Sequence, residues 1–172
     1  MRSMGTVASA TLLAATVTGG LATAPSARGA DDGDPINGTY IATSVGEWAE
    51  TNRSFHDEPT VHSTWTITSS CTTVQDCSGQ VTSDQGWSAP LTKHDGTLWR
   101  VRRDVPNWEA CDDGTAVTGS QIFWFIPVGP DGLMQHGSST LAGQDKTVGP
   151  SGACGLNRWL VIEMPFRLDK LP

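Results

Sequence analysis

The spacing of apolar residues along this chain predicts β-strands, because they recur at every second position. In the stretch VHSTWTIT, Val61, Trp65 and Ile67 fall on one face, while polar side chains fall on the other. The C-terminal stretch RWLVIEMPFRL repeats the pattern with five apolar residues on one face: Leu160, Ile162, Met164, Phe166 and Leu168. The best helical candidate is only the short GEWAETN, so few helices are expected.

About eight such runs follow one another, separated by turns in a chain that has 19 glycines and 10 prolines. SQIFWFIPV is apolar on both faces, which predicts a strand covered on both sides. The turn PDG is followed by LMQHGSSTLA, which we interpret as the next strand. The pattern therefore predicts an all-β fold, a single antiparallel meander forming a barrel or half-open barrel, with a β-sandwich as the alternative.

Residues 1–29 have the features of a secretory signal peptide. Arg2 gives a positive start, residues 4–21 carry no charge, and the small-residue run LATAPSARGA precedes the acidic DDGD. Threonine and glycine interrupt the apolar stretch, so it is poorly suited to be a permanent membrane anchor. We expect a single β domain at 30–172, secreted or held in the cell envelope, that does not span the membrane after cleavage.

The charge of the chain narrows the range of partners. It has 18 acidic and 11 basic residues, a net charge of −7 at pH 7. Two of the basic residues, Arg2 and Arg28, fall within the predicted signal peptide, so the exported chain is more acidic still. Because phosphate-rich partners repel such a surface, nucleic acid and anionic membranes are not expected as partners.

The four cysteines predict two disulfide bonds, because an exported chain matures in an oxidising compartment. Their spacing fits neither a zinc site nor a C-x-x-C redox motif. Cys71 ends one strand-like run and Cys77 begins the next, so a bond between them would close a tight hairpin. That pairing leaves Cys111 to bond Cys154 across a long loop, and both bonds would staple the fold.

Motifs that carry enzymatic chemistry are not found in the sequence. No G-x-S-x-G elbow, H-E-x-x-H pair, phosphate loop or dinucleotide-binding fingerprint is present. The nearest reactive cluster is FHDEPTVH, with His56, Asp57, Glu58 and His62, which we interpret as an exposed polar loop rather than a metal site. We therefore assign no catalytic residue, metal or cofactor, although a pair of distant carboxylates stays open as catalytic machinery.

Seven tryptophans stand beside a single tyrosine and four phenylalanines. Trp65 and Trp124 lie in strong strand patterns and are predicted to fill the core. Trp87, Trp99 and Trp108 lie near turns or beside charged residues, so they are candidates for lining a cleft that binds an apolar ligand or a sugar. Core filling is the alternative for each of these three.

A group of arginines lies on the same strand as Trp99. Arg100 and Arg102 would share one face of that strand, with Arg103 beside them. Guanidinium groups match the geometry of carboxylates and phosphates, so Arg100 and Arg102 are candidate ligands for an anionic head group. Ion pairing with acidic neighbours on the sheet is the alternative.

Several stretches resemble a group of small exported proteins of mycobacteria and related actinobacteria. They are DPINGTYIATSVGEWAETN, STWTITSSC, GQVTSDQGWSAP, RDVPNWEAC and GPSGACG, and the resemblance spans the chain from Asp34 to Leu171. It implies secretion and one compact domain, and it transfers no catalytic residue. The strand layout is also loosely lipocalin-like, which implies nothing about function by itself.

These features together predict a secreted binding or surface domain rather than an enzyme. Its expected partner is an apolar or amphipathic envelope ligand, or another envelope protein. The alternatives are an extracytoplasmic hydrolase acting on cell-envelope material and a structural surface protein. A pocket lined by tryptophan and arginine would favour binding, a buried carboxylate or histidine pair at a cleft would favour hydrolysis, and a filled barrel would favour a structural role.

Overall fold

Ten strands form one antiparallel sheet in the computed structural model, which describes residues 33–94 and 96–172. The strands are β1 (Gly38–Ser44), β2 (Glu50–Thr51), β3 (Ser54–Phe55), β4 (Val61–Cys71), β5 (Cys77–Ser83), β6 (Ser88–Lys93), β7 (Trp99–Ala110), β8 (Ala116–Pro127), β9 (Thr140–Val148) and β10 (Val161–Lys170). Two short 3-10 turns cover Gly46–Trp48 and Ala153–Gly155. No helix within the described ranges is long and apolar enough to cross a bilayer. The predicted signal peptide lies outside these ranges.

Eight of the strands close into a barrel. Strands β4 to β10 pair in sequence order, and β1 pairs with both β4 and β10, which joins the two ends of the meander. The small hairpin β2–β3 stands outside the ring and attaches to the start of β10. The all-β prediction and the barrel prediction are therefore confirmed, and the sandwich alternative is wrong.

The middle of the barrel is packed solid with inward-facing side chains. The strands alternate as predicted, so that Trp65 and Ile67 of β4 and Phe166 and Leu168 of β10 all lie inside. The innermost layer has almost no exposed surface and consists of Ile67, Val81, Leu91, Val101, Phe125, Leu141 and Leu168. Burying each such side chain stabilises the fold by about 1.5–3 kcal/mol. This layer, the central plug, leaves space only towards the two ends of the barrel.

Both predicted disulfides are present, and they lie at opposite ends of the barrel. Cys71–Cys77 joins β4 to β5 across their turn, and no free cysteine is found among the described residues. Cys111–Cys154 ties the end of β7 to the loop before β10. The staple interpretation of the cysteines is confirmed.

The prediction that Trp124 lies in the core is wrong. On β8 the inward positions belong to Phe123 and Phe125, so Trp124 lies on the outer face, half-buried, opposite Arg100 and Gln144 of the neighbouring strands. The apolar character of β8 on both faces does not arise from a second sheet, because the described strands form one sheet, in which β8 pairs with β7 and β9. Its outer apolar side chains, Ile122, Trp124 and Ile126, are half-buried.

The strand predicted at 133–142 begins later than expected. Residues 133–138 form an exposed loop, in which Gly137 adopts a φ of 73° and Met134 makes only an isolated bridge to Val128. A φ in this left-handed region breaks an extended strand, and glycine adopts it at little cost. The observed strand β9 starts at Thr140 and continues through a polar stretch that the sequence pattern did not mark as a strand.

Candidate functional site

One end of the barrel contains a cavity of about 320 Å³, which we call the tryptophan cavity. It lies where β1 ends and β4 begins, beyond the central plug. Five aromatic residues form much of its wall: Trp65, Trp87, Trp108, Phe123 and Phe166. Its volume lies near the lower limit of the range typical of small-molecule sites, about 300–1,000 Å³.

The aromatic rings of this wall pack edge to face around Trp65. The ring centroids of Trp65 and Trp87 lie 5.3 Å apart at an interplanar angle of 84°, and those of Trp65 and Phe123 lie 4.9 Å apart at 89°. Phe166 is 5.1 Å from Trp65 on a third side. Such contacts hold the rings in fixed orientations, so the apolar wall is formed before any ligand enters.

Trp108 reaches the cavity because β7 is irregular. Between the pairs Val105↔Gly119 and Glu109↔Val117, β7 runs four positions while β8 runs only two. Such a bulge redirects the side chains that follow it. The ring of Trp108 lies against Gly119, where an added Cβ would come within 2.8 Å of it.

A chain of four polar side chains crosses the wall of the tryptophan cavity. Arg103 Nε donates a hydrogen bond of 2.6 Å to Gln121 Oε1, and Gln121 Nε2 donates one of 2.8 Å to Asp145 Oδ1. Ser44 Oγ donates a third, of 2.8 Å, to Asp145 Oδ2. The Asp145 carboxylate is thereby held on both oxygens although only 2% of the residue is exposed. We call this set the Arg103–Asp145 chain.

Burial dominates the protonation equilibria of the charged members of the chain. Burial raises the pKa of Asp145, and the hydrogen bonds from Ser44 and Gln121 and the charge of Arg103 offset only part of this effect. Burial also lowers the pKa of the Arg103 guanidinium, which the negative charge of Asp145 partly opposes. A buried titratable group with a shifted pKa at a cavity is a recognised mark of functional sites.

Two lining residues of the tryptophan cavity, Arg103 and Trp87, carry hydrogen-bond donors that have no acceptor among the described residues. The guanidinium of Arg103 lies 4.4 Å from the centroid of the Trp87 ring, and its terminal nitrogens make no hydrogen bond to any described residue. Trp87 Nε1 is buried and also lacks a partner among the described residues. Of these donors only Trp87 Nε1 is buried, and a buried donor without an acceptor is costly and therefore rare. The site can accept a molecule that brings acceptor oxygens of its own.

The opposite end of the barrel contains a smaller cavity of about 250 Å³, which we call the lysine cavity. Its charged lining residues include Lys93 and Lys170, each of which stands over an aromatic ring. Lys93 Nζ is 5.2 Å from the centroid of the Trp99 ring, and Lys170 Nζ is 6.0 Å from that of Tyr40. Among the described residues, none lines both cavities.

The three tryptophans proposed from the sequence to line a cleft are divided between the two cavities. Trp87 and Trp108 line the tryptophan cavity, and Trp99 lines the lysine cavity. Trp65, predicted as core, is buried as expected and forms part of the tryptophan cavity as well. Trp99 also belongs to the hydrophobic core, with 2% of the residue exposed, which agrees with the core-filling alternative; a ligand-binding role for any of the three stays a prediction.

Arg100 and Arg102, the candidate ligands for an anionic head group, lie away from both cavities. They share a strand face as predicted, but it is the outer face of β7, where both are exposed and line neither cavity. The arginine in the tryptophan cavity is Arg103, which shares the inward face with Trp99 and Val101. Counting alternate positions from Trp99 along the strand identifies Arg103 from sequence alone.

The loop FHDEPTVH forms no metal site in the described part of the chain. His56 Nδ1 lies 3.1 Å from Glu58 Oε1, whereas His62 Nδ1 lies 3.1 Å from Thr43 Oγ1 on a different strand. Both histidines are exposed, and the described residues contain no group of three histidines, cysteines or carboxylates placed to hold a metal ion. Glu58 and Pro59 contribute to the lining of the tryptophan cavity.

Comparison with known proteins gives a match of fold only. No protein-family model matches the chain, and no curated protein matches it either. Among solved structures, the monomer form of the M. tuberculosis PknI sensor domain is similar, with a TM-score of 0.53 and 16% sequence identity. The match covers 80% of this chain and 88% of that domain. A mycobacterial protein therefore contains a domain of similar fold, while the resemblance in sequence to exported actinobacterial proteins stays a prediction.

Proposed function

We propose that this chain is an extracytoplasmic binding domain that holds a small amphipathic molecule in the tryptophan cavity. The observation that carries the proposal is the pairing of an aromatic wall with the unpartnered terminal nitrogens of Arg103 at one space of about 320 Å³, beside the buried and unpartnered indole N–H of Trp87. Apolar pockets with a few convergent polar groups are the usual form of a small-molecule site. Such a ligand would have an apolar half and a polar half.

The apolar half of the ligand would lie on the aromatic wall. Trp65 and Phe166 form the inner part of that wall, with Ile162 and Met164 beside them. Burial of apolar ligand surface contributes about 25 cal/mol for each Å² removed from water. A short alkyl chain or a ring would fit this wall equally well, because the Trp65 indole N–H is already donated to Ser63 Oγ and the other side chains are apolar.

The polar half of the ligand would meet Arg103. Its terminal nitrogens form a planar fork that matches the two oxygens of a carboxylate, and the Trp87 indole N–H adds a further donor. Asp145 does not compete directly for these nitrogens, because Gln121 lies between the two side chains in the hydrogen-bonded chain. We therefore propose that the head group is an anionic carboxylate or a group of similar shape.

Binding fits the cavity better than hydrolysis or a purely structural role. The described lining contains one deeply buried carboxylate, that of Asp145, and no histidine, whereas a hydrolase would use a carboxylate pair or a histidine with its partner. The second acidic group of the lining, Glu58, is bonded to Thr51 and His56. A structural barrel would have no need of open space beside unpartnered donors.

We also propose that the protein functions outside the cytoplasm. Two disulfides are typical of proteins that mature in oxidising compartments, and the predicted signal peptide would direct the chain there. The PknI domain with a similar fold is described as a sensor domain. Sensing requires a ligand site, so a ligand-reporting role is compatible with the proposal.

Titration with decanoate and with decanol tests this function, because the two probes differ only in the head group. We expect decanoate to bind the exported protein more tightly than decanol does. Arg103→Met should weaken decanoate binding by about tenfold or more, since hydrogen bonds to a charged partner contribute about 1.5–3 kcal/mol. Arg102→Met is the matched control, because Arg102 lies one position away on the outer face.

Each outcome of this titration has a defined meaning. Loss of decanoate binding in Arg103→Met with full binding in Arg102→Met supports the proposal, provided that circular dichroism and Tm show both variants folded. No decanoate binding by the wild-type protein contradicts it. Equal weakening in both variants, or equal affinity for decanoate and decanol, contradicts the assignment of an anionic head to Arg103.

A further inference from the structure

Lys93, at the end of β6, is an unusual residue for a barrel interior. The inward positions of this strand are Ala89, Leu91 and Lys93, so alternation carries the ammonium group inside, and only 4% of the residue is exposed. Lysines are almost never buried to this degree unless they are paired. The charge of Lys93 therefore calls for a partner.

The described residues do not supply that partner. Lys93 Nζ donates one hydrogen bond, of 3.1 Å, to the backbone carbonyl of Val74, which is neutral. No carboxylate oxygen of a described residue lies within 4.0 Å of it. Burial lowers the pKa of Lys93, and the charges of Asp34 and Asp76 act against this effect from a greater distance. The remaining N–H groups of the ammonium have no hydrogen-bond acceptor among the described residues.

A second ammonium group stands at the same cavity. Lys170 makes no ion pair with any described residue, and it lies over the ring of Tyr40 as Lys93 lies over that of Trp99. The acidic residue of the lining, Asp34, is already 3.9 Å from the ring nitrogen of His136. Among the described lining residues, positive charge thus exceeds negative charge, in a chain that is acidic as a whole.

The shape and volume of the lysine cavity limit what can neutralise this charge. Its volume is about 250 Å³. With about 30 Å³ for each water molecule in the liquid, it has room for about eight waters or an organic molecule of similar size. The aromatic rings of Tyr40 and Trp99 together with Ile36 and Pro127 make much of its lining apolar. A free inorganic anion would leave this apolar lining without a partner.

We propose that the lysine cavity is a second binding site, which takes a small organic carboxylate about the size of benzoate. The carboxylate would pair with the ammonium groups of Lys93 and Lys170, and the apolar body would lie against Trp99 and Tyr40. The site is independent of the proposed function, because the central plug separates it from Arg103 and none of the described residues lines both cavities.

Binding of benzoate to the folded, oxidised protein, measured by calorimetry, tests the site. Lys93→Met should weaken binding by about tenfold or more, because it removes a desolvated charge while keeping a side chain of similar length. Lys170→Met should weaken binding less, since Lys170 is more exposed. Lys146→Met is the matched control, because Lys146 lies on the barrel exterior beside Glu163. Benzyl alcohol, the neutral counterpart of the probe, should bind at least about tenfold more weakly than benzoate.

Tm supplies a second readout, because it distinguishes a variant that has lost the binding site from one that has lost its fold. Replacing a buried, unpaired charge by an apolar side chain should leave Tm unchanged or raise it. Weaker benzoate binding by a Lys93→Met protein with an unchanged or higher Tm supports the proposal. The proposal is overturned if the wild-type protein does not bind millimolar benzoate, if Lys93→Met binds it as tightly as the wild type, or if Arg103→Met abolishes the binding.

Discussion

The two ends of the barrel bury positive charge in different ways. At the tryptophan cavity, Arg103 is linked through Gln121 to the carboxylate of Asp145, so much of its charge is balanced within the wall. At the lysine cavity, Lys93 has a single neutral acceptor and no ion pair among the described residues. The same eight strands form both ends, so the difference arises from the inward side chains near each end and from the loops that complete each cavity.

A small barrel can combine a rigid core with open ends. The central plug takes up the apolar inward positions, and the polar inward positions fall nearer the rims, where Lys93 and Asp145 lie. Buried polar groups cost stability unless they are bonded. We infer that the plug supplies the stability and that the two rims supply the chemistry.

Removing each disulfide in turn should give the largest difference between the two ends in the free energy of unfolding. Cys111–Cys154, near the tryptophan cavity, spans 43 positions, whereas Cys71–Cys77, near the lysine cavity, spans six. In the chain-entropy description, removing the long-range bond costs about 4 kcal/mol and removing the short one about 2 kcal/mol. We expect urea unfolding of the two double Cys→Ser variants to show this order. A larger loss for the short bond would contradict the account of what holds each end.

The contributions of the two ends to the free energy of unfolding should also change with pH in opposite directions, by smaller amounts than the loss of a disulfide. The pKa of Asp145 is raised by burial, so its contribution to stability is full below the ordinary pKa of 3.8 and is lost as pH rises through the folded-state pKa. The pKa of Lys93 is lowered by burial, so the cost of burying its charge is relieved as pH rises towards the ordinary value of 10.5. Acid therefore favours folding at one end and base at the other.

Urea titrations at several pH values check this contrast. Relative to Asp145→Asn, the wild-type protein should lose stability as pH rises above 3.8. Relative to Lys93→Met, it should gain stability as pH approaches 10.5. Parallel curves for the wild type and either variant would show that the residue titrates alike in the folded and unfolded chain, and would remove that half of the comparison.

Sequence reasoning succeeded where the signal was local. Cys71 and Cys77 flank a single turn, so their bond follows from the strand pattern on either side. The alternation of β4 and β10 was strong enough to predict that Trp65 and Phe166 lie inside. The succession of short runs predicted the meander, because consecutive strands joined by short turns pair with each other.

The tryptophan cavity was harder to predict because its walls break the usual patterns. Asp145 lies in β9, whose polar sequence is more typical of a loop than of a strand. Trp108 depends on a bulge that no local composition marks. Trp124 shows the converse, since β8 has apolar residues on its outer face that mimic core positions. In each case the position of the residue on the closed barrel, and not its type, determines where its side chain lies.

The most direct test of the ligand site uses the indole N–H groups of the tryptophans as reporters at both ends. In ¹H–¹⁵N spectra of the protein, each of the seven tryptophans of the chain gives one indole signal. Single Trp→Phe variants assign these signals. Decanoate is then added stepwise, and the movement of each assigned signal is followed.

Decanoate should move the Trp87 signal most, because Trp87 Nε1 would gain the acceptor that it lacks among the described residues. The Trp65 signal should move by less, and that of Trp99, beyond the central plug, should stay in place. The result that would contradict the account is a Trp87 signal that does not move while those of the exposed Trp48 and Trp159 do. Decanoate would then bind the surface of the barrel and not its interior.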